Sequence, residues 1–269
     1  MQAFDMIKIE RNNKKSGVLT IFLLLIIALL TGSIKLSHAE KKDSKSVGIR
    51  TIVIDPGHGG HDQGAGGSGG SLEKDISLNF ARILAKELKP DYEVVFTRNG
   101  DYQVTLTRRA SVANHHRADM FISIHTGGGS RYQMDFWSIF YYQKTDQRNG
   151  GMRPEAVGPD NIQDNNQVNI QDNVEDLRLN WDHVQVRYQK KSRALAGCMK
   201  TQLAGNPEIR EVTVSAAALR VLEGLDMPAI VIETGYLTNP KTEKRLNDIS
   251  FLTDVAKSVK KGVDVYLTR

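Results

Sequence analysis

Thr51-Ile52-Val53-Ile54-Asp55-Pro56-Gly57-His58-Gly59-Gly60 couples a β-branched apolar run to an abrupt break. Branched side chains suit a buried strand, and Pro56-Gly57 stops it, because proline gives no ladder donor and glycine frees the backbone. A glycine-rich stretch continues to Gly70, after which Ile76, Phe80, Ile83, Leu84 and Leu88 recur at helical spacing and line one face. Strand, loop and helix in that order form the repeating unit of an α/β sheet. The same reading predicts further strands at Glu93–Thr97, Met120–Ile124, Phe136–Tyr142, Ala218–Leu222 and Ala229–Glu233. Helices are predicted at Thr107–Arg117, Val184–Leu203 and Phe251–Leu267. The fold expected is α/β: a single domain with a twisted, mostly parallel (mixed) sheet, flanked by helices on both faces. In such sheets the loops at strand ends carry the chemistry.

Two segments depart from this alternation. Arg11, Lys14 and Lys15 precede an apolar run from Val18 to Leu30, and Ser37-His38-Ala39 follows it. That run is 13 residues, about 20 Å as a helix against a bilayer core of about 30 Å. Residues 1–39 therefore read as a signal peptide cut after Ala39, with an uncleaved anchor as the alternative; either way the chain works in the periplasm or cell envelope. Residues 40–49 read as a polar linker and 50–269 as the folded domain. Within that domain, residues 144–180 are rich in Asn, Asp and Gln and show no sustained apolar period, which marks a long loop or insertion.

Charge narrows the functional classes. The net charge is +5, of which the first 39 residues hold +3, so the remainder has only +2 and no long basic run. A nucleic-acid partner is not expected, nor a membrane contact other than through the N-terminal segment. Cys198 is the only cysteine, which excludes an intrachain disulfide, and its place in a predicted helix suggests a buried structural thiol. Gly64-Ala65-Gly66-Gly67-Ser68-Gly69 formally matches a dinucleotide fingerprint. It does not sit tightly between strand and helix, no ribose-binding acid follows, and no phosphate-binding lysine is present, so no cofactor-binding residues are expected.

Three strand-end stretches do offer chemistry: Asp55-Pro56-Gly57-His58, Ser123-Ile124-His125 and Ile232-Glu233-Thr234. A fourth, Ser71-Leu72-Glu73, closes the glycine loop. Two imidazoles and a carboxylate suit zinc, and three protein ligands leave a position for water, which zinc brings to a pKa of about 7. A further glutamate can then move the proton. On residue type alone Asp55, His61 and Asp62 are rival ligands, and Glu73 or Glu233 can be read as a helix-start or ion-paired carboxylate.

Taken together, these segments resemble the N-acetylmuramoyl-L-alanine amidase family 3. The resemblance runs from Thr51–Gly60 and Glu73, through Thr97-Arg98, Leu106, Arg109, Asn114 and Ser123-Ile124-His125, to Met227-Pro228-Ala229 and Glu233-Thr234-Gly235-Tyr236-Leu237-Thr238-Asn239. It covers roughly residues 50–267. It implies an α/β fold, one zinc ion (Zn2+) held by His58, Glu73 and His125, and Glu233 as the catalytic residue. It also implies cleavage of the amide between N-acetylmuramic acid and L-alanine in peptidoglycan. The sequence departs from the family at Thr126-Gly127-Gly128-Gly129, where Ala-Asn-Ala is common. Members acting in cell division carry a helical segment over the active site that an activator protein relieves; residues 144–180 stand at that place without a clear match, with Glu155 and Glu175 as candidate caps. Two other readings compete: a catalytically silent peptidoglycan-binding protein, and a zinc hydrolase of another exported amide. Retention of all four site residues favours the amidase.

Overall fold

The computed structural model describes residues 49–128, 135–144 and 184–269. The expectations for residues 1–48, and for most of the polar insertion with Glu155 and Glu175, lie outside the described residues.

Six strands form one sheet: β1 (Thr51–Pro56), β2 (Glu93–Phe96), β3 (Met120–Gly127), β4 (Trp137–Tyr142), β5 (Val212–Ala217) and β6 (Ala229–Tyr236). Their order is β2-β1-β3-β6-β4-β5, with every neighbouring pair parallel except β4 and β6. The mixed, mostly parallel sheet is as expected. The three central strands β1, β3 and β6 are buried almost continuously, and their first halves are mainly apolar, as strands covered on both faces must be.

Alternation along these strands sends successive residues into two cores. Ile52, Ile54, Ile122, Ile124, Ile230 and Ile232 pack on one face against three helices, α1 (Glu73–Leu88), α3 (Gln189–Ala204) and α5 (Ile249–Leu267). Val53, Phe121 and Val231 pack on the other face against Ala110 and Ala113 of α2 (Leu106–His115) and against Leu222, Leu225 and Met227. Cys198 is buried in α3, as its place in a predicted helix suggested.

Several boundaries need correction. Ala218–Leu222 is not a strand: Arg220–Leu222 forms a single 3-10 turn, which buries Leu222 in the second core without joining the sheet. The strand of that region is β5, Val212–Ala217, whose half-exposed edge position leaves too weak an apolar signal to read. The helix predicted from Val184 has one helical turn at 184–186, an interruption, and then α3 from Gln189. A short helix, α4 (Pro240–Leu246), had not been read; Asn239 caps it by accepting from Lys241 and Thr242, with Pro240 at its first position. His125 and Glu233 do not end their strands, because β3 runs on to Gly127 and β6 to Tyr236.

Candidate metal centre

Parallel pairing of β1, β3 and β6 brings one end of all three strands together. His125 on β3 lies in register with Glu233 on β6, so the two side chains project side by side. Just past the end of β1, the Gly57 amide still donates to the Ile124 carbonyl, and His58 follows at once. Glu73, the first residue of α1, completes the group and is 1% exposed. One ligand atom from each of His58, Glu73 and His125 lies within 4.8 Å of the others. Tetrahedral zinc, with bonds of about 2.0–2.2 Å, sets its ligand atoms roughly 3.5 Å apart. Gly57 is required here, because a Cβ at that position would stand 2.6 Å from His125 Nδ1 and 2.7 Å from its Nε2.

His58 adopts a left-handed backbone (φ 59°), uncommon for a residue with a side chain. Two buried arginines hold the chain in that form. Arg98 donates to the carbonyls of Pro56, Gly57, Lys74 and Gly100. Arg109 donates to the carbonyls of Pro56 and His58 and forms a 2.6 Å ion pair with Asp55. Asp55 in turn accepts from Thr97 and Ser123. Farther along the glycine loop, Glu243 of α4 accepts from the Gly69 and Ser71 amides and the Ser68 hydroxyl. Sequence reading took Arg98 and Arg109 only as parts of a family pattern and did not single out Glu243. The loop's need for hydrogen-bond partners was a signal; the distant residues supplying donors (Arg98, Arg109) and an acceptor (Glu243) were not visible.

The polar contacts define each group's state. Glu73 Oε1 lies 3.0 Å from His125 Nδ1, 3.1 Å from His58 Nε2, and accepts from the Thr126 amide. The Ala65 amide donates to Oε2. Burial alone would raise the Glu73 carboxyl pKa, but the hydrogen bond from His125 and the attraction of His58 hold it well below the usual carboxylate range. His58 Nδ1 faces both oxygens of Asp62 at 2.8 Å. Its Nε2 is buried and makes no hydrogen bond among the described residues, since the approach to Glu73 is close but misaligned. Burial works to lower the His58 pKa, yet the Glu73 and Asp62 carboxylates prevail and bring it to about 9. Glu233 is raised, first by burial and then by Glu73, with His125 opposing.

The rival ligands part company in the fold. Asp55 is fully buried and committed to Arg109, Thr97 and Ser123. His61 is exposed and outside the cluster. Asp62 stands behind His58, orienting the ring from its far nitrogen.

Comparison with known proteins agrees with this architecture. A family model described as N-acetylmuramoyl-L-alanine amidase matches residues 52–265. The N-acetylmuramoyl-L-alanine amidase AmiA of Escherichia coli is 30% identical over 233 residues, spanning 85% of this chain and 80% of the relative. The chain belongs to the N-acetylmuramoyl-L-alanine amidase family. AmiC of Neisseria meningitidis is 32% identical across 80% of this chain, which spans 52% of that longer relative. Among solved structures, the amidase AmiC2 of Nostoc punctiforme superposes with a TM-score of 0.60 at 27% identity, covering 82% of this chain and 98% of the other. The catalytic domain of the amidase CwlV of Bacillus (Paenibacillus) polymyxa gives 0.60 at 26% identity, over 82% and 99% of the two chains. The described sheet and its flanking helices are thus an amidase catalytic domain.

Proposed function

We propose that this amidase is zinc-dependent and hydrolyses the bond between the lactyl group of N-acetylmuramic acid and L-alanine in bacterial peptidoglycan. His58, Glu73 and His125 would hold one zinc ion, and Glu233 would be the catalytic residue. The observation that carries this reading is the buried Nε2 of His58, which makes no hydrogen bond among the described residues and lies near the same carboxylate oxygen that faces His125. Two ring nitrogens converge on one carboxylate oxygen, and only His125 makes a hydrogen bond to it, so the buried His58 nitrogen is left for a cation.

A bound zinc ion would polarise the amide carbonyl and make water acidic near neutral pH. The chain's own residues supply the rest. Asp62 fixes the His58 ring so that Nε2 faces inward. The Thr126 and Ala65 amides keep Glu73 oriented. Glu233 takes a proton from the attacking water and returns it to the L-alanine nitrogen as the C–N bond breaks, leaving a lactyl carboxylate and a free stem peptide. Its raised pKa makes it a better acceptor than an ordinary carboxylate and a ready donor afterwards.

Work outside the cytosol is part of the proposal, with residues 1–39 as the export signal, 40–49 as linker and 144–180 as a polar insertion in the catalytic domain. These assignments rest on sequence alone.

Glu233→Gln should keep one zinc per chain and lose about 10³-fold or more in cleavage of purified peptidoglycan. His58→Ala should lose zinc and activity together. Mass spectrometry of wild-type digests should find free stem peptides with intact glycan strands, and nothing after chelation. Full activity in Glu233→Gln would refute its role; stoichiometric zinc in His58→Ala would refute His58 as a ligand.

A further inference from the structure

The wall beside Glu233 contains a phenol that the proposed chemistry has not used. β3 and β6 pair His125 with Glu233, and one irregular step later pair Gly127 with Tyr236. The extra residue of that step falls on β6, where Gly235 has φ 94°. β3 therefore alternates normally, and a side chain at 127 would project to the same face as His125. A Cβ built there would meet the Tyr236 ring at 3.0 Å. The ring thus lies across β3 immediately beyond His125, on the face that carries the site. Gly127 sits within the departure from the family's Ala-Asn-Ala pattern, so in this chain the space above that position belongs to Tyr236.

The ring is held on two sides. Phe136 packs edge-on against it with centroids 5.2 Å apart, and Gly127 floors it. The residue is half-buried, and its hydroxyl makes no hydrogen bond among the described residues. Burial and the Glu233 charge both raise the phenol pKa, which keeps it a hydrogen-bond donor.

Resting on the site assignment above, we infer that the Tyr236 hydroxyl donates a hydrogen bond to the carbonyl oxygen of the amide under attack. A neutral phenol cannot take the role of Glu233 as base, and a donor beside the base is placed for the oxygen that gains negative charge as water adds. Such a bond strengthens in the transition state, so its loss shows in kcat more than in KM.

The test is Tyr236→Phe in the full-length, zinc-loaded protein acting on purified peptidoglycan or a muramyl-peptide fragment. The Phe ring preserves the packing on Gly127 and Phe136 and removes only the hydroxyl. Expected are a fall in kcat of about tenfold to a hundredfold, an unchanged KM, wild-type zinc content and a wild-type Tm. Unchanged kcat would overturn the inference. So would a rise in KM alone, which would make the hydroxyl a ground-state contact, or a drop in Tm or zinc content that accounts for the lost rate. Glu233→Gln measured alongside separates the levels: if it stays active the site assignment fails, and if it is inactive while Tyr236→Phe is normal, only the phenol's role fails.

Discussion

The two histidines reach one centre from opposite kinds of backbone. His125 rides inside a central strand, where ladder bonds to β1 and β6 fix its Cα and side-chain direction. His58 sits on a loop in a left-handed conformation, held by arginine donors from 40 and 51 residues farther along the chain. A strand-borne ligand obtains its position from hydrogen bonds the sheet makes anyway. A loop-borne one needs a dedicated scaffold of buried charge. The contrast implies that the site has a stiff half and a conditional half, and that the conditional half fails first.

The largest effect should come from Arg109→Met. It leaves the fully buried Asp55 without its cation, frees the His58 carbonyl and leaves Pro56 with Arg98 alone. Removing one partner of a buried pair costs about 3–5 kcal/mol. Denaturant melts should show a loss of that size, and hydrogen exchange should show protection lost over residues 57–72 well before the β3 and β6 amides. Equal loss in both regions would break the contrast between the halves.

A smaller effect concerns pH. In metal-free protein the folded-state pKa of His58, about 9, exceeds its usual 6.5. Its contribution is therefore fully present below about pH 6.5 and lost as pH rises through about 9, by no more than about 3 kcal/mol. Zinc needs the neutral ring, so apparent zinc affinity should climb about tenfold per pH unit below 9 and then level off. Apo-protein melts across pH 6–10, paired with zinc titrations, test both signs; an apo Tm rising over that window would contradict the His58 ion pairs.

Asp62→Asn gives the smallest change and the sharpest one. It weakens the orientation of the loop-borne ring, and one bond to the Gly64 amide, while leaving His125 alone. Zinc affinity should drop about 10- to 100-fold, the usual cost of losing a carboxylate behind a metal-bound histidine. Competition titration measures this, and an unchanged affinity would mean the loop holds His58 without Asp62.

Much of this was legible along the chain. The β1 run, the glycine loop and the apolar face of α1 announced themselves because burial on both faces demands unbroken hydrophobicity and burial on one face demands periodicity. Where burial is partial the signal fails: β5 is an edge strand with small and polar side chains, and the apolar Leu219-Arg220-Val221-Leu222 stretch fills a core through a turn, which composition cannot tell from a strand. The same limit applied to the site. His58, Glu73, His125 and Glu233 stood out by residue type and family pattern, yet residue type left Asp55, His61 and Asp62 open.

What the sequence determined alone was the alternation of strands and helices and the set of groups capable of zinc chemistry, since both follow from local side-chain properties. Which groups meet was decided only by tertiary structure. Parallel register set His125 beside Glu233, the buried Arg109 withdrew Asp55 from the ligand set, and a one-residue irregularity in β6 turned Tyr236 toward the site. Each of these depends on backbone pairing between segments far apart in the chain, and no local pattern encodes such a distance.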